Sequence, residues 1–584
     1  MKLPYAKNVS SATQKYMVQF GGINKTDAFA EGEFADMENL SLERFPYLTV
    51  RKPYNRGIIA TENGRKPNKI WSDGNIFASA EIDEAKPTEA YIKFRNYNQN
   101  AVAIPNLEAV AGFDEMGLKK LDFVRINNKL TVFTDDPVTE NSSGLISPYT
   151  INLDPELSTH EWESTTCSVT AAVDFTENTV TLSEMSVRGG KNGAVNFKFG
   201  DTVAIYLETD GEYGEAPDFY GVLNADVTTD AEGKTKIEFT TNVFETLLSD
   251  GSGELPSNVK IEKLTPEGLY FATGINNRIW AVRGNTIFAS ALGEPSRWDS
   301  FEGLASDSYQ VAVDSSGEFT GISVFDNNPI FFKEDMVYRL YGSLPSNFSL
   351  QKVDAPGAMS GCAQSIQRVN EALYYKGRNG VYRYTGAIPQ CISEKLGDLS
   401  GYDRAVAGAD DRYYYLTMVK KEDEKAENRV LYIYDTKTGV WLKNEENAFL
   451  CFARWGNVLY ASDISGNIIS KDIDTKNGLT EKDDSETVAW YAEFKPFNEV
   501  VKEKKVYSKL YLRLELDEKA FVSVLIKYDN GAFNEIKTVK ADSGEVFFIP
   551  ISLKKCDSFT VRLEGHNGCT VKTMLREYRT AGDR

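Results

Sequence analysis

A short strand–turn–strand pattern occurs three times in this 584-residue chain and limits the folds open to it. Residues 70–80 read IWSDGNIFASA, residues 279–291 read IWAVRGNTIFASA, and residues 454–463 read RWGNVLYASD. Each copy predicts a β-strand, a tight turn and a second strand that ends in small residues. Recurring hairpins of this kind indicate an all-β protein.

The rest of the sequence favours the same class. Runs of four to eight residues rich in Val, Ile, Tyr, Phe and Thr alternate with turn dipeptides such as Asn379-Gly380 and Asn530-Gly531. Aromatic or apolar strand centres follow at Trp280, Tyr338 and Tyr382. Their intervals scatter about the roughly 40–50 residues of a four-stranded propeller blade. We therefore predict a degenerate β-propeller, with unrelated hairpins in a large β protein as the open alternative.

The spacing also divides the chain into domains. The interval from Phe133 to Trp280 is far longer than one blade requires, and residues 155–265 have a strand rhythm of their own. We predict a small β-barrel or sandwich inserted in a propeller loop, because surface loops tolerate insertions. Residues 484–584 predict a C-terminal β-sandwich. The N-terminal arm and first blades are assigned to residues 1–154, and the remaining blades to residues 266–483.

Composition excludes several kinds of chemistry. The two histidines, His160 and His566, are distant in sequence, which argues against histidine-based catalysis and histidine-ligated metals. The six cysteines form no CxxC pair and are interpreted as buried thiols of a protein made in a reducing cytoplasm. No cofactor and no metal site is predicted. No secretory signal and no apolar run of membrane-spanning length is recognised.

Acidic residues supply many candidate carboxylates for glycosidase chemistry. Four of them lie near predicted blade loops: Glu294, Asp299, Asp307 and Asp326. A propeller glycanase could use such a group as its acid and base. The chain has no Asp-box repeat to support this assignment, so we predict that it is not an enzyme.

Three segments near the N-terminus carry a more specific pattern: FGGIN at residues 20–24, GEFADMENLS at residues 32–41 and PYLTVR at residues 46–51. They resemble the opening of bacteriophage tail propeller proteins. This group includes the nozzle, or tail tubular protein B, of podoviruses and the packaged-DNA stabilisation (tail hub) proteins. Three later segments are similar to the same group: ALGEPSRW at residues 291–298, FDNNPIFFKEDMVYRLYG at residues 325–342 and NGVYRY at residues 379–384. Pro46 and Tyr47 replace the glycine that precedes the family's Leu-x-x-Arg turn.

The resemblance implies an interface or structural role for six residues: Gly21, Gly22, Asn24, Asp36, Asn39 and Arg51. The glycines permit close backbone approach, and the Asn and Asp residues favour turns. An N-terminal strand that completes the last blade is favoured over an arm that contacts a neighbouring subunit.

The functional expectation combines this resemblance with charge. The chain has 65 basic and 85 acidic residues and a formal net charge of −20. An acidic wall repels DNA, whereas Lys and Arg contacts would bind it. We expect a structural protein of the virion tail that is made in the host cytoplasm and forms a homo-oligomeric ring. The resemblance implies six subunits in this ring. The ring would pass genomic DNA without specific binding and hold other tail or adaptor proteins. The alternative is a carbohydrate-binding tail adhesin that contacts the host surface.

Overall fold

The computed structural model describes residues 12–59, 65–83, 85–96, 107–111, 121–133, 147–153, 162–176, 179–191, 194–244, 257–423, 428–444, 449–463, 465–470, 488–499, 503–541 and 545–580. Within these ranges the helices are three single 3-10 turns, Pro345–Asn347, Ala363–Ser365 and Glu394–Leu396. All other regular structure is β-strand, so the predicted all-β class is confirmed.

The strands are numbered along the chain. Five precede the first complete sheet: β1 Thr13–Met17, β2 Phe34–Glu38, β3 Leu40–Ser41, β4 Leu48–Val50 and β5 Asn55–Ile59. Two four-stranded sheets follow: β6 Arg65–Ser72, β7 Ile76–Asp83, β8 Lys86–Asn96 and β9 Leu107–Ala111, then β10 Asp122–Ile126, β11 Lys129–Phe133, β12 Tyr149–Asn152 and β13 Trp162–Ser164. The inserted domain contains β14 Cys167–Thr176, β15 Thr179–Gly189, β16 Thr202–Thr209, β17 Glu212–Tyr213, β18 Phe219–Val222, β19 Thr228–Thr229, β20 Thr235–Glu238 and β21 Asn258–Lys263.

The remaining strands begin with four more sheets. These are β22 Tyr270–Ile275, β23 Arg278–Arg283, β24 Thr286–Ala289 and β25 Tyr309–Ala312; β26 Gly321–Phe325, β27 Asn328–Phe332, β28 Met336–Tyr341 and β29 Ser349–Asp354; β30 Gln367–Val369, β31 Ala372–Lys376, β32 Val381–Tyr384 and β33 Gln390–Cys391; and β34 Tyr402–Ala409, β35 Tyr413–Lys420, β36 Val430–Asp435 and β37 Val440–Asn444. A three-strand group follows, β38 Phe449–Trp455, β39 Val458–Asp463 and β40 Ile468–Ser470. The last strands are β41 Ala489–Phe494, β42 Lys505–Leu516, β43 Phe521–Tyr528, β44 Asn534–Lys540, β45 Val546–Ile549, β46 Lys555–Cys556, β47 Phe559–His566 and β48 Cys569–Thr580.

Seven antiparallel four-stranded sheets form the blades of a β-propeller. The first strands of successive blades contact each other: β6 contacts β38, β38 contacts β34, β34 contacts β30, and β22 contacts both β26 and β10. The blade of β6 to β9 shares a hydrophobic cluster with the blade of β10 to β13, and the blade of β26 to β29 shares another with the blade of β30 to β33. Each sheet therefore has a neighbour on both faces. This explains why β31, with the sequence ALYYK, is buried along its whole length.

A strand from the N-terminal region completes the last blade. β5 pairs antiparallel with β40, with Ile59 opposite Ile468, and supplies the fourth strand of the sheet that β38 to β40 begin. The strand that closes the propeller is thus β5, and the predicted motif residues 21–51 lie elsewhere.

The three hairpin copies do not occupy equivalent positions in their blades. Trp71 and Trp455 lie on the first strands β6 and β38, whereas Trp280 lies on the second strand β23. The pattern repeats because every neighbouring pair of antiparallel strands has the same local requirements for a turn and a buried face. The repeated sequence pattern therefore indicates hairpins rather than whole blades.

The inserted domain lies between two blades, after β13 and before β22. Its strands follow the order β17-β16-β21-β14-β15-β20-β19, and β18 pairs with the free side of β16. Backbone hydrogen bonds from Asn224 to Glu238 and from Thr240 to Val222 join the β18 and β20 segments. Six strands thus follow one another around an apolar core that includes Val169, as expected of a small barrel. The predicted boundary at residue 155 differs from the structure because β13 belongs to the preceding blade.

Two sheets form the C-terminal sandwich, and both include N-terminal strands. One sheet has the order β3-β4-β48-β42-β45, with β1 on β48 and β46 on β42; the other has the order β2-β41-β47-β43-β44. The facing sides bury residues such as Leu512 and Val524. Residues 1–154 are predicted to form the arm and first blades, but β1 to β4 belong to the sandwich. Such pairing over more than 500 residues leaves no local sequence signal.

Candidate functional site

The first strands of the seven blades surround a central cavity of about 360 Å³. Its lining includes Lys69 and Trp71 on β6, Asp122 on β10, Ala272 on β22, Ile322 on β26, Gln364 and Gln367 before and on β30, Val406 on β34, and Phe452 and Arg454 on β38. This volume lies at the lower end of the range of small-molecule pockets. The cavity is one candidate site in the molecule.

One ion pair joins three blades at this cavity. The Lys69 ammonium lies 3.6 Å from a carboxylate oxygen of Asp122, and the other oxygen of Asp122 accepts a hydrogen bond of 3.1 Å from the Ala272 N–H. Burial raises the pKa of Asp122, whereas Lys69 and the Ala272 N–H lower it. The pair fixes the relative positions of β6, β10 and β22. Neither residue is among the predicted site residues, although a charge beside an apolar strand run was an available signal.

Nucleophilic chemistry is not favoured at the cavity thiol. Cys451 lies 3 residues from Arg454, and its sulfur is 2.8 Å from the Ser462 hydroxyl. Burial raises the pKa of Cys451 to about 11, so the thiol is protonated at neutral pH. In the part of the chain that the structure describes, no group of three or more His, Cys, Asp or Glu side chains could hold a metal ion.

The six predicted interface residues lie together, at a second location. They line the seam between the sandwich and β37, the outer strand of the blade formed by β34 to β37. At one end of this seam, the Ile23 N–H donates to the Trp441 carbonyl at 2.8 Å. A Cβ atom added to Gly22 would lie 2.3 Å from that same carbonyl oxygen. Close backbone contact is therefore the reason for glycine at position 22.

Gly21 and Asn24 shape the turn that follows. The Gly21 N–H donates to the Gly32 carbonyl at 2.8 Å, and Asn24 donates to a Glu33 carboxylate oxygen at 2.8 Å. Glu33 also contacts the Lys395 ammonium at 2.7 Å, which reaches across from the propeller. Burial alone would raise the pKa of Glu33, but hydrogen bonds from Lys395, the Ala30 N–H and Asn24 lower it. The turn is thus tied to the propeller by a charged contact.

Asp36, Asn39 and Arg51 hold the other end of the seam. Asp36 accepts a 2.6 Å hydrogen bond from the Tyr491 hydroxyl and a 3.4 Å hydrogen bond from Lys443 on β37. Asn39 has a backbone φ of 59°, and its side chain donates to the Ala489 carbonyl at 2.8 Å. Its side-chain oxygen accepts a 2.8 Å hydrogen bond from Arg51. These residues therefore connect the sandwich to β37 of the propeller within one subunit.

A buried charge network fixes the arm on the opposite sheet of the sandwich. Glu499 and Arg576 are 1% and 2% exposed as side chains, and Arg576 donates to Glu499 at 2.7 Å. Lys15 on β1 lies 2.9 Å from the same carboxylate, and Glu31 lies 2.6 Å from Arg576. Arg576 also stacks on the Phe497 ring. Loss of either Glu499 or Arg576 would leave the other charge buried without its partner, which is strongly destabilising.

The four candidate carboxylates of a glycosidase do not line the central cavity. Asp307 is buried and accepts hydrogen bonds from Gly303 and Leu304, so it shapes the β24–β25 loop. Asp326 lies in the β26–β27 turn, 3.0 Å from Arg339. Asp299 is buried beside the inserted domain, and Glu294 begins a tight turn of the same loop.

No family model and no curated protein matches the sequence. The matching solved structures include exo-β-1,3-galactanase from Phanerochaete chrysosporium, at 7% identity and a TM-score of 0.21, covering 52% of this chain and 94% of that chain. They also include Hsv2 from Kluyvelomyces marxianus, at 7% identity and a TM-score of 0.23, covering 65% of this chain and 96% of that chain.

These matches correct one expectation. The prediction that the chain is not an enzyme is withdrawn, because an exo-β-1,3-galactanase is an enzyme and is among the matching structures. TM-scores this low assign no activity or substrate to the chain. Within the described residues, no helix is long and apolar enough to span a membrane.

Proposed function

We propose that the protein is a structural component of a bacteriophage tail that assembles into a ring. In this proposal the propeller is the frame of each subunit. The inserted domain and the sandwich supply the contacts with neighbouring subunits and with other tail or adaptor proteins. The protein is synthesised in the host cytoplasm and becomes part of the virion tail.

The observation that carries this proposal is the position of the family-like motif residues. All six lie at the seam where the sandwich meets β37, and they hold these two parts of the subunit in a fixed relation. A ring needs one surface of each subunit to bind a different surface of the next, at a constant angle. Accessory domains fixed to the frame satisfy this need.

The charge of the chain supports a role as a DNA conduit. A net charge of −20 per subunit disfavours the Lys and Arg contacts that bind DNA through counterion release. The lumen of the proposed ring, and not the central cavity of one propeller, is the path for DNA. Double-stranded DNA should therefore pass without specific binding.

Mass photometry of the purified protein tests the proposal. We expect a species of several subunits, six by the resemblance, with a mass that is a multiple of 65.2 kDa. A single 65.2 kDa species at every concentration, with or without other proteins of the same tail, would reject the ring.

A carbohydrate-binding tail adhesin is the second candidate function. The observation in its favour is the presence of exposed aromatic side chains on both accessory domains. Phe199 and Tyr220 are exposed on the inserted domain, and Tyr16 and Phe548 are exposed on the sandwich. Exposed aromatic rings of this kind are suited to binding a hydrated ligand such as a carbohydrate.

A further inference from the structure

One face of the sandwich carries a row of side chains across four strands. The strand register places Tyr16 on β1 opposite Leu575 on β48, Leu575 opposite Tyr511 on β42, and Tyr511 opposite Phe548 on β45. Directly opposed residues point to the same side of a sheet, so these four form one line, which we call the aromatic row. The opposite side of this sheet packs into the core through residues such as Leu510 and Met574.

The aromatic row faces solvent. Tyr16 is 65% exposed and Phe548 is 46% exposed, while Tyr511 and Leu575 are half-buried. The rings of Tyr511 and Phe548 have centroids 5.2 Å apart. Tyr16 lies two strands from Tyr511, which separates their backbones by roughly 10 Å. The row is therefore an extended apolar strip in which Leu575 lies between the Tyr16 ring and the adjacent rings of Tyr511 and Phe548.

Polar residues accompany the row on one side. Glu577 accepts a 2.9 Å hydrogen bond from Gln14, a 3.1 Å hydrogen bond from Lys509 and a 2.8 Å hydrogen bond from Ser508. On the other side, Arg513 lies 3.9 Å from Glu545. Lys509 and Arg513 on β42 are thus paired with carboxylates, and hydrogen-bonding groups lie within reach of a ligand on the rings.

We propose that the aromatic row is a binding platform for a neutral polysaccharide, an inference that rests on the second proposed function. The C–H faces of sugar rings are attracted to the negative faces of aromatic rings, and sugar hydroxyls can exchange hydrogen bonds with the polar side chains beside the row. A neutral ligand fits because the charges of Lys509 and Arg513 are already compensated by Glu577 and Glu545.

Two other occupants fit this face less well. A nucleic acid would need unpaired Lys or Arg side chains, whereas Lys509 and Arg513 already have carboxylate partners. A second copy of the chain would need about 800 Å² and some 20–30 residues on each side. The aromatic row has four side chains and spans three strand spacings, roughly 15 Å.

Native gel electrophoresis of the full-length protein in gels that contain a soluble polysaccharide tests this inference. The probes are dextran, laminarin, galactomannan and hydroxyethylcellulose, which are neutral, and alginate, which is acidic. We expect at least one neutral polysaccharide to retard the wild-type protein. Tyr511→Ala and Tyr16→Ala should each weaken that binding about tenfold, which corresponds to 1.4 kcal/mol.

Phe301→Ala is the matched control, because it removes an exposed aromatic side chain from a propeller loop. It should leave the retardation unchanged, and Phe548→Ala serves as a third row variant at an exposed position. Retardation that persists in all row variants would overturn the platform while leaving carbohydrate binding in place. No retardation by any neutral polysaccharide, or retardation by alginate alone, would overturn both the platform and the second proposed function.

Discussion

At the scale of single residues, Gly22 shows how little space the seam leaves. The backbone of Trp441 approaches so closely that any Cβ atom at position 22 would overlap it. Substitution by alanine must therefore push β37 away from the arm or distort both. Crowding of this kind in a well-packed region costs about 1–3 kcal/mol.

We therefore expect Gly22→Ala to lower the stability of the protein by about 1–3 kcal/mol, measured as the shift in its urea unfolding curve. The control is Gly401→Ala, because no atom lies within 4 Å of a Cβ atom built at position 401. Equal stability of Gly22→Ala and Gly401→Ala would contradict the close contact at the seam.

Asp299 illustrates a different cost, that of a buried charge. The residue is 1% exposed, and burial, followed by the nearby Asp201 carboxylate, raises its pKa to about 6. Lys263 and Arg297 oppose this shift, and the Lys263 ammonium is itself 2.6 Å from Asp201. These groups lie where the inserted domain meets the β24–β25 loop.

The raised pKa predicts a specific pH dependence. Between the usual value of 3.8 and about 6, the folded protein binds a proton at Asp299 that the unfolded chain has released, so this group reduces stability as pH rises through that window. Asp299→Asn should therefore be more stable than wild type at pH 7, by up to about 3 kcal/mol, and equal to it near pH 4. Calorimetric unfolding at several pH values measures this. A variant that gains no stability at pH 7 would show that Asp299 carries no such cost.

At the scale of the elements, β5 closes the propeller from a distance of about 400 residues in sequence. Ile59 is buried in the cluster that contains Trp455, Tyr460 and Ile468. Removing its side-chain atoms leaves a cavity in this cluster, which typically costs 2–5 kcal/mol. The loss of stability should therefore affect both chain segments of the blade, β5 and β38 to β40.

We expect Ile59→Ala to increase hydrogen exchange in β38 to β40 as well as in β5, measured by mass spectrometry. Ile388→Ala is the matched control, because Ile388 is 71% exposed and its truncation should change stability by less than about 0.5 kcal/mol. Faster exchange confined to β5 would contradict its role as the closing strand.

The elements also show how far the sequence predicts the fold. The sequence predicts a β-sandwich over residues 484–584, and β43 lies in it with the alternate apolar side chains of Val522, Val524 and Ile526 buried in the core. Alternation carries no information about the partner strand. The pairing of β1 with β48, in which Thr13 lies opposite Tyr578, therefore could not be predicted.

In the candidate site, too, local motifs can be predicted from the sequence, whereas contacts between distant segments cannot. The resemblance implies an interface or structural role for Gly22, Asp36 and Asn39, and in the structure these residues lie at one seam. It does not predict Trp441 or Lys443 as their neighbours, because those contacts depend on how the sandwich sits against the propeller. Lys69 and Asp122 meet through the circular order of the blades, which no local pattern encodes.

At the scale of the whole molecule, both ends of the chain contribute to the same structures. The N-terminal strands β1 to β4 complete the sandwich, and β5 completes the propeller. The inserted domain projects between two blades and is held by polar contacts such as that between Arg188 and Glu267 at 3.1 Å. The result is one frame with two attached β-domains, which offer the different surfaces that the contacts of the proposed tail ring need.

Cryo-electron microscopy of the purified protein tests this account most directly. We predict closed rings in which each subunit has seven radial four-stranded sheets and contacts its neighbours through the inserted domain or the sandwich. Particles that contain a single subunit, or assemblies joined only through the blade edges, would contradict it.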